Sequence, residues 1–318
     1  MNISLSRTAA AAAAAILLLA GCGDSGSSAT RDDGELTLVA GFYPLEWAAE
    51  RVGGDRVAVS SLTAPGAEPH DLELTPQDVA RVADADLLVY LSGFQAAVDE
   101  AAQSQAGDSA WDAAEAADLM PAADEHAEEG HAEDGHAEEE HAGDGAADPH
   151  FWLDPIRLAD VGDALADRLT EIDPDGADRY AENAEALRAN LEALDAEFEE
   201  GLGDCRVDTL VTSHGAFGYL ADRYGLDVVG ISGLSPDQEP SADQLAEISG
   251  LVADRGVTTV YTETLVDPSI AETVASEAGV QTAVLDPIEG LTDESAGEDY
   301  LEVMRSNLAT LEEGQSCS

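Results

Sequence analysis

Asp148-Pro149-His150-Phe151-Trp152-Leu153-Asp154-Pro155 is the stretch around which this chain is organised. Two prolines bracket a short apolar run, so the backbone is held extended and turned rather than helical. His150 therefore sits on a rigid turn among bulky neighbours. Taken alone, it reads equally well as a buried, hydrogen-bonded histidine. His70 and His214 alter the balance, because each falls in a turn of its own after a strand pattern. Three histidines on separate loops are the layout of a metal site that only the fold can assemble.

On either side of this motif, strands alternate with helices. Leu36–Ala40, Val57–Leu62 and Asp86–Leu91 read as strands before it; Val207–Thr212, Asp227–Ile231, Val257–Thr262 and Gln281–Leu285 read as strands after it. Amphipathic helical patterns lie between them, which predicts parallel sheets built from βαβ units. Beyond the motif, a helix over about 156–170 is followed by Asp173-Pro174, a cap and first-turn pair. Tyr180, Ala184, Leu187, Leu191, Leu194 and Phe198 then form a single apolar stripe. A helix carrying that stripe predicts a strut packed along both halves, with a two-stranded coiled coil as the alternative. The expected fold is α/β: two lobes, each a parallel sheet flanked by helices, joined by one long rigid helix.

Other segments do not belong to either lobe. Arg7 and an apolar run to Leu19 are too short to span a bilayer and read as a signal peptide over 1–21. Leu19-Ala20-Gly21-Cys22 resembles a bacterial lipobox, so Cys22 is the expected lipidation site, with a Gly/Ser tether over 22–34. The N-terminal lobe is expected over 35–171, the linker helix over 172–202 and the C-terminal lobe over 203–318. Within 124–147, His126, His131, His136 and His141 recur every five residues among Ala, Glu, Asp and Gly. No apolar face exists there at any period, which predicts a disordered insertion. If Cys22 carries lipid, Cys205 and Cys317 remain as an even pair in an oxidising compartment, and a disulfide is expected. Two free buried thiols are the alternative.

Acidic residues number 67 against 13 basic ones, and the chain has no lysine. A formal charge of −54 excludes nucleic acid as a partner and attracts cations.

These residues resemble the zinc-binding, lipid-anchored solute-binding proteins of bacterial ABC importers. The resemblance runs from about Leu36 to the C-terminus. It rests on Pro69-His70-Asp71, the central motif, Ser213-His214-Gly215-Ala216-Phe217-Gly218-Tyr219-Leu220, the run from Gly233 to Ser241, Leu285-Asp286-Pro287 and the acidic His-rich insertion. It implies a metal in the cleft between the lobes. His70 and His150 would come from the first lobe, His214 from the second, and Asp286 would be the fourth ligand, with Glu68 as its rival. Asp71, Asp154 and Glu239 are candidates for fixing the imidazole tautomers, while Glu239 and Glu263 read equally as turn caps or solvent-facing acids. The implied role is a monomeric, non-enzymatic Zn2+ carrier, exported and held on the outer face of the cytoplasmic membrane by its N-terminal lipid, delivering its ion to an ABC permease. Manganese or iron uptake is the runner-up, but such relatives carry an acid where His214 stands. A surface adhesin or a zinc hydrolase is a further alternative, although the chain has no His-Glu-x-x-His arrangement.

The insertion reads either as a solvated acidic tract or as a weak zinc collector tethered beside the cleft. If it is a collector, deleting residues 124–146 should leave the tight site intact, remove the weaker zinc equivalents from a titration and slow loading at scarce zinc. Unchanged stoichiometry and loading rate would make it a solvated tract only.

Overall fold

The computed structural model describes residues 35–122 and 147–318. The expected signal peptide, Cys22, the tether and His126, His131, His136 and His141 lie outside the described residues.

The first lobe runs β1 (Leu36–Ala40), α1 (Tyr43–Gly53), β2 (Val57–Ser61), α2 (Pro76–Asp84), β3 (Leu87–Tyr90), α3 (Ala96–Ala101), β4 (Ala110–Asp112) and the short α4 (Ala114–Ala117). Its strands are parallel in the order β2-β1-β3-β4. Two helices follow, α5 (Pro155–Ile172) and α6 (Ala177–Leu202). The second lobe runs β5 (Thr209–Thr212), α7 (Gly218–Tyr224), β6 (Asp227–Gly230), α8 (Ala242–Arg255), β7 (Thr259–Thr262), α9 (Ser269–Ala278), β8 (Gln281–Val284) and α10 (Tyr300–Gly314). Its parallel order, β6-β5-β7-β8, repeats that of the first lobe. In each sheet the first strand is internal, so the order in which strands are added reverses beside it. Loops at the C-terminal edges of such strands are where ligands gather.

The stripe on α6 is buried as its spacing predicts: Tyr180, Ala184, Leu187, Leu191, Leu194, Phe198 and Leu202 all face inward. It packs against α1 and α5 of the first half and α7 and α10 of the second, so no partner chain is needed to cover it. At 26 residues the helix is about 39 Å long, enough to run beside both lobes. Its approach to α5 is close: a Cβ on Gly162 would lie 2.7 Å from Leu187. One continuous core results, joining Leu38 and Trp47 of the first lobe to Leu165, Leu191, Phe217, Leu285 and Met304.

The details depart from the sequence reading in three places. Asp173 does not cap a helix starting at Pro174. Its carboxylate accepts from the Tyr180 hydroxyl at 2.7 Å and from Arg56 at 2.6 Å, and the chain makes a 3-10 turn over Pro174–Gly176 before α6 begins. β4 with the short α4 behind it, and α10, were not among the expected elements. β4 is only three residues on a sheet edge, and the inward face of α10 includes the polar Asn307 and Gly314, which blurs its period. No helix among the described residues is long and apolar enough to cross a membrane.

Cys205 and Cys317 form a disulfide between residues 112 apart in sequence. It ties the chain end back to the start of the second lobe, where the two residues also make an isolated antiparallel bridge. In the chain-entropy model a loop of this length contributes about 4–5 kcal/mol. Replacing both cysteines with alanine should lower the unfolding free energy by about 2–5 kcal/mol in denaturant melts. It should leave metal binding unchanged, because neither sulfur lies among the site residues described below.

Candidate metal centre

Four side chains from four separate loops meet where the lobes join. His70 stands in the loop after β2, His150 in the turn before α5, His214 just beyond β5 and Glu289 beyond β8. Each lobe supplies two. His150, His214 and Glu289 are fully buried and His70 nearly so.

Local structure aims each ring. The His150 backbone N–H and ring Nδ1–H both donate to Asp148 Oδ1, at 3.0 and 2.8 Å. His214 repeats the device: its N–H donates to Glu263 Oε1 at 3.0 Å and its Nδ1–H to Oε2 at 2.7 Å. In both rings Nδ1 thereby carries a proton, and Nε2 faces the centre. The His70 N–H donates to Glu68 at 2.9 Å, but its ring is set by packing, edge-on to Phe94 with centroids 4.7 Å apart. The loop beneath it is pinned by buried Gln95, which donates to Thr63 Oγ1 and to the Pro69 carbonyl.

The spacing at the centre is that of an ion's coordination shell. Glu289 Oε1 lies 3.2 Å from His70 Nε2 and 3.3 Å from both His150 Nε2 and His214 Nε2. His150 Nε2 and His214 Nε2 are 3.4 Å apart. A tetrahedron with ligand atoms about 2.0–2.1 Å from its centre has edges of about 3.3–3.4 Å, so four of the six edges match zinc geometry. The other oxygen, Glu289 Oε2, is buried without a hydrogen-bond partner. Such an atom is costly unless something satisfies it, and a cation would.

Electrostatics at the centre agree. Burial would raise the Glu289 carboxyl, yet its hydrogen bonds to His150, His214 and His70 hold it well below the usual range. Burial would lower His214, but the carboxylates of Glu263 and Glu289 outweigh it and push the imidazole up to about 10. His150 is raised in the same way by Asp148 and Glu289.

The structure brings His70, His150 and His214 together but does not bring Asp286 or Glu68 to the fourth corner. Asp286 turns away: it accepts from the Ile288 N–H at 2.8 Å and from the Thr264 and Ser295 hydroxyls. Glu68 is occupied by the N–H groups of His70 and Asp71, and with Asp71 and Asp237 it forms a separate, more exposed acidic group. Glu289 takes the corner instead. Nothing in a chain with 67 acidic residues singled it out, although its flanks, Ile288 and Gly290, are a weak sign of burial. The tautomer clamps are Asp148 and Glu263, not Asp71, Asp154 or Glu239. Asp154 caps α5 through the Ile156 N–H and faces Arg157 and Arg223, while Glu239 lines a groove beside β6.

Two parallel-sheet lobes, a joining helix and a histidine-rich cage at their seam define the class of metal solute-binding proteins. The chain belongs to the ZnuA family, zinc-uptake complex component A periplasmic, whose pattern matches residues 38–314. It is 36% identical over 298 residues to a zinc-binding lipoprotein AdcA of Streptococcus pneumoniae, covering 90% of this chain but 57% of that protein. It is also 36% identical to the high-affinity zinc uptake system protein ZnuA of Bacillus subtilis, over 93% of each. Among solved structures, the Zn(II)-bound ZnuA-like domain of S. pneumoniae AdcA superposes with a TM-score of 0.71 at 34% identity, covering 89% of this chain and 99% of that one. The chain thus spans little more than half the length of the streptococcal AdcA proteins it matches.

A pH dependence follows for the metal-free protein. His214 is raised from 6.5 to about 10 on folding, so its contribution to stability is full below pH 6.5 and is lost as pH rises through about 10. Few other groups titrate in that window: there is no lysine, the described cysteines are paired, and burial pushes up all seven tyrosines. Chelator-treated protein should therefore lose stability between pH 7 and 9, with His214 alone contributing about 1.4 kcal/mol per pH unit and the raised His150 adding to it. His214→Gln should flatten that slope in denaturant melts.

Proposed function

We propose that this chain is an extracytoplasmic zinc receptor that captures Zn2+ between its lobes and delivers it, chemically unchanged, to the membrane permease of an ABC importer. The observation that carries this reading is the Glu289 carboxylate, 3.2–3.3 Å from three imidazole nitrogens, with one oxygen buried and unpartnered. Three neutral nitrogen donors and one oxygen suit zinc; harder ions such as manganese favour more oxygen. The family is one of solute-binding proteins for zinc uptake rather than of enzymes, and the relatives' names agree.

The cargo would act as a cross-link, since His70 and His150 belong to one lobe and His214 and Glu289 to the other. Capture needs little rearrangement where the lobes already touch. The Trp152 indole N–H donates to the Pro287 carbonyl at 2.7 Å, and the Tyr300 hydroxyl donates to the Trp152 carbonyl at 2.5 Å. The Tyr219 hydroxyl donates to the Asp148 carbonyl at 2.7 Å, tying the His150 turn to the second lobe. To load, the site must give up any proton held on the central imidazole nitrogens, so zinc and protons compete. Export, attachment through a lipid on Cys22 and a monomeric state complete the proposal. The domain limits that go with it are a signal peptide over 1–21, a tether over 22–34 and the two lobes joined by the helix that ends near Leu202.

Metal analysis of protein purified without added metal should find about one zinc per chain at the tight site. His70→Ala, His150→Ala and His214→Ala should each weaken zinc binding by orders of magnitude in competition with a chelator. Asp286→Ala tests the ligand set from the other side, as described below. Wild-type affinity in any of the three histidine variants would sink the assignment.

A further inference from the structure

The turn that delivers Glu289 is held in a conformation its residues would not choose. Ile288 is fully buried and has φ 58, in the left-handed region that a β-branched side chain rarely adopts. Such outliers persist only where the surroundings enforce them, and they cluster at functional sites.

Here the enforcing groups can be named. Asp286 Oδ1 accepts the Ile288 N–H at 2.8 Å, closing the turn from within. Its Oδ2 is held by the hydroxyls of Thr264, at 3.2 Å, and Ser295, at 3.3 Å. Asn307 on α10 grips the Asp286 backbone from both sides: the Asp286 N–H donates to Asn307 Oδ1 at 2.9 Å, and Asn307 Nδ2 donates to the Asp286 carbonyl at 2.7 Å. From the other lobe, Trp152 holds the Pro287 carbonyl. One residue beyond Ile288, the Glu289 carboxylate meets the three imidazoles. Asp286 itself is 3% exposed and touches none of them.

We propose that Asp286 is a positioning residue for the fourth zinc ligand. Its carboxylate keeps Ile288 in the left-handed region, which turns the chain so that Glu289 reaches the centre. It therefore sets the tightness of the site without touching the ion. This rests on the reading of Glu289 as a ligand given above, and the test separates the two.

The test is a double-mutant cycle on the full chain, with zinc affinity read by chelator competition. Glu289→Ala removes a ligand and should weaken binding by about 100-fold or more, and Asp286→Ala by about 10–100-fold, the range expected for groups that orient ligands. The double variant should bind no more weakly than Glu289→Ala alone, because Asp286 acts only through Glu289. Asp286→Asn keeps an oxygen facing the Ile288 N–H and should stay within about threefold of wild type, whereas Ala should not. If the factors multiply in the double variant, Asp286 supports the fold in general and the proposal fails; wild-type affinity in Asp286→Ala also overturns it. Wild-type affinity in Glu289→Ala would instead overturn the ligand assignment itself. Should Asp286→Ala not fold, Thr264→Val with Ser295→Ala loosens the same carboxylate from its other oxygen. That pair should give a smaller loss that vanishes in the Glu289→Ala background.

Discussion

A single carboxylate buried among three imidazoles is the constraint on which the rest of this structure depends. An isolated charge in a protein interior is strongly unfavourable, and it persists only when paired and hydrogen-bonded. Glu289 has no accessible surface, so the histidines around it, or an ion held among them, must supply the compensating positive charge. The imidazoles must in turn be oriented, which is why Asp148 and Glu263 each accept from both the backbone and the ring of one histidine. The centre is thus one electrostatic unit, in which removing a member leaves a buried charge or an unpaired donor.

That unit constrains how the lobes are joined. Four corners from two lobes meet around one carboxylate only if the lobes are held in register. Helix α6 supplies the register from behind, and Trp152, Tyr300 and Tyr219 supply it at the front with hydrogen bonds across the seam. Asp195, on the buried side of α6, adds an ion pair with Arg223 at 2.5 Å and accepts from the Tyr224 hydroxyl at 2.9 Å. Such a frame favours small adjustments over a wide hinge opening. It suits a cargo one ion across, for which fractions of an ångström decide affinity.

The acidic composition belongs to the surface rather than to this frame. With a formal charge of −54, the chain repels itself at low ionic strength while concentrating cations around it. Its few arginines are used economically. Arg56, Arg81, Arg157, Arg188, Arg223 and Arg305 each face at least one carboxylate, and Arg188 faces both Asp160 and Asp163. The exposed pairs among them contribute little individually. Here they also relieve crowding among like charges.

Much of the fold was legible in the sequence, because its signals are local and periodic. The alternation of apolar runs with amphipathic stretches determined two parallel-sheet lobes, and the stripe from Tyr180 to Phe198 determined the face of α6. The three histidines could be picked out because histidine is scarce among the residues of the two lobes and each stood in a turn after a strand or between prolines. The fourth corner was not legible. Asp286 is the ligand the family resemblance implies, but its carboxylate is drawn back onto the Ile288 N–H, and the chain then turns through a left-handed residue that no propensity would place there. Glu289 and Glu263 are two acids among 67, without a period or motif of their own. What sets them apart is burial beside an imidazole supplied by a distant segment, and only the packing of one lobe against the other creates that environment.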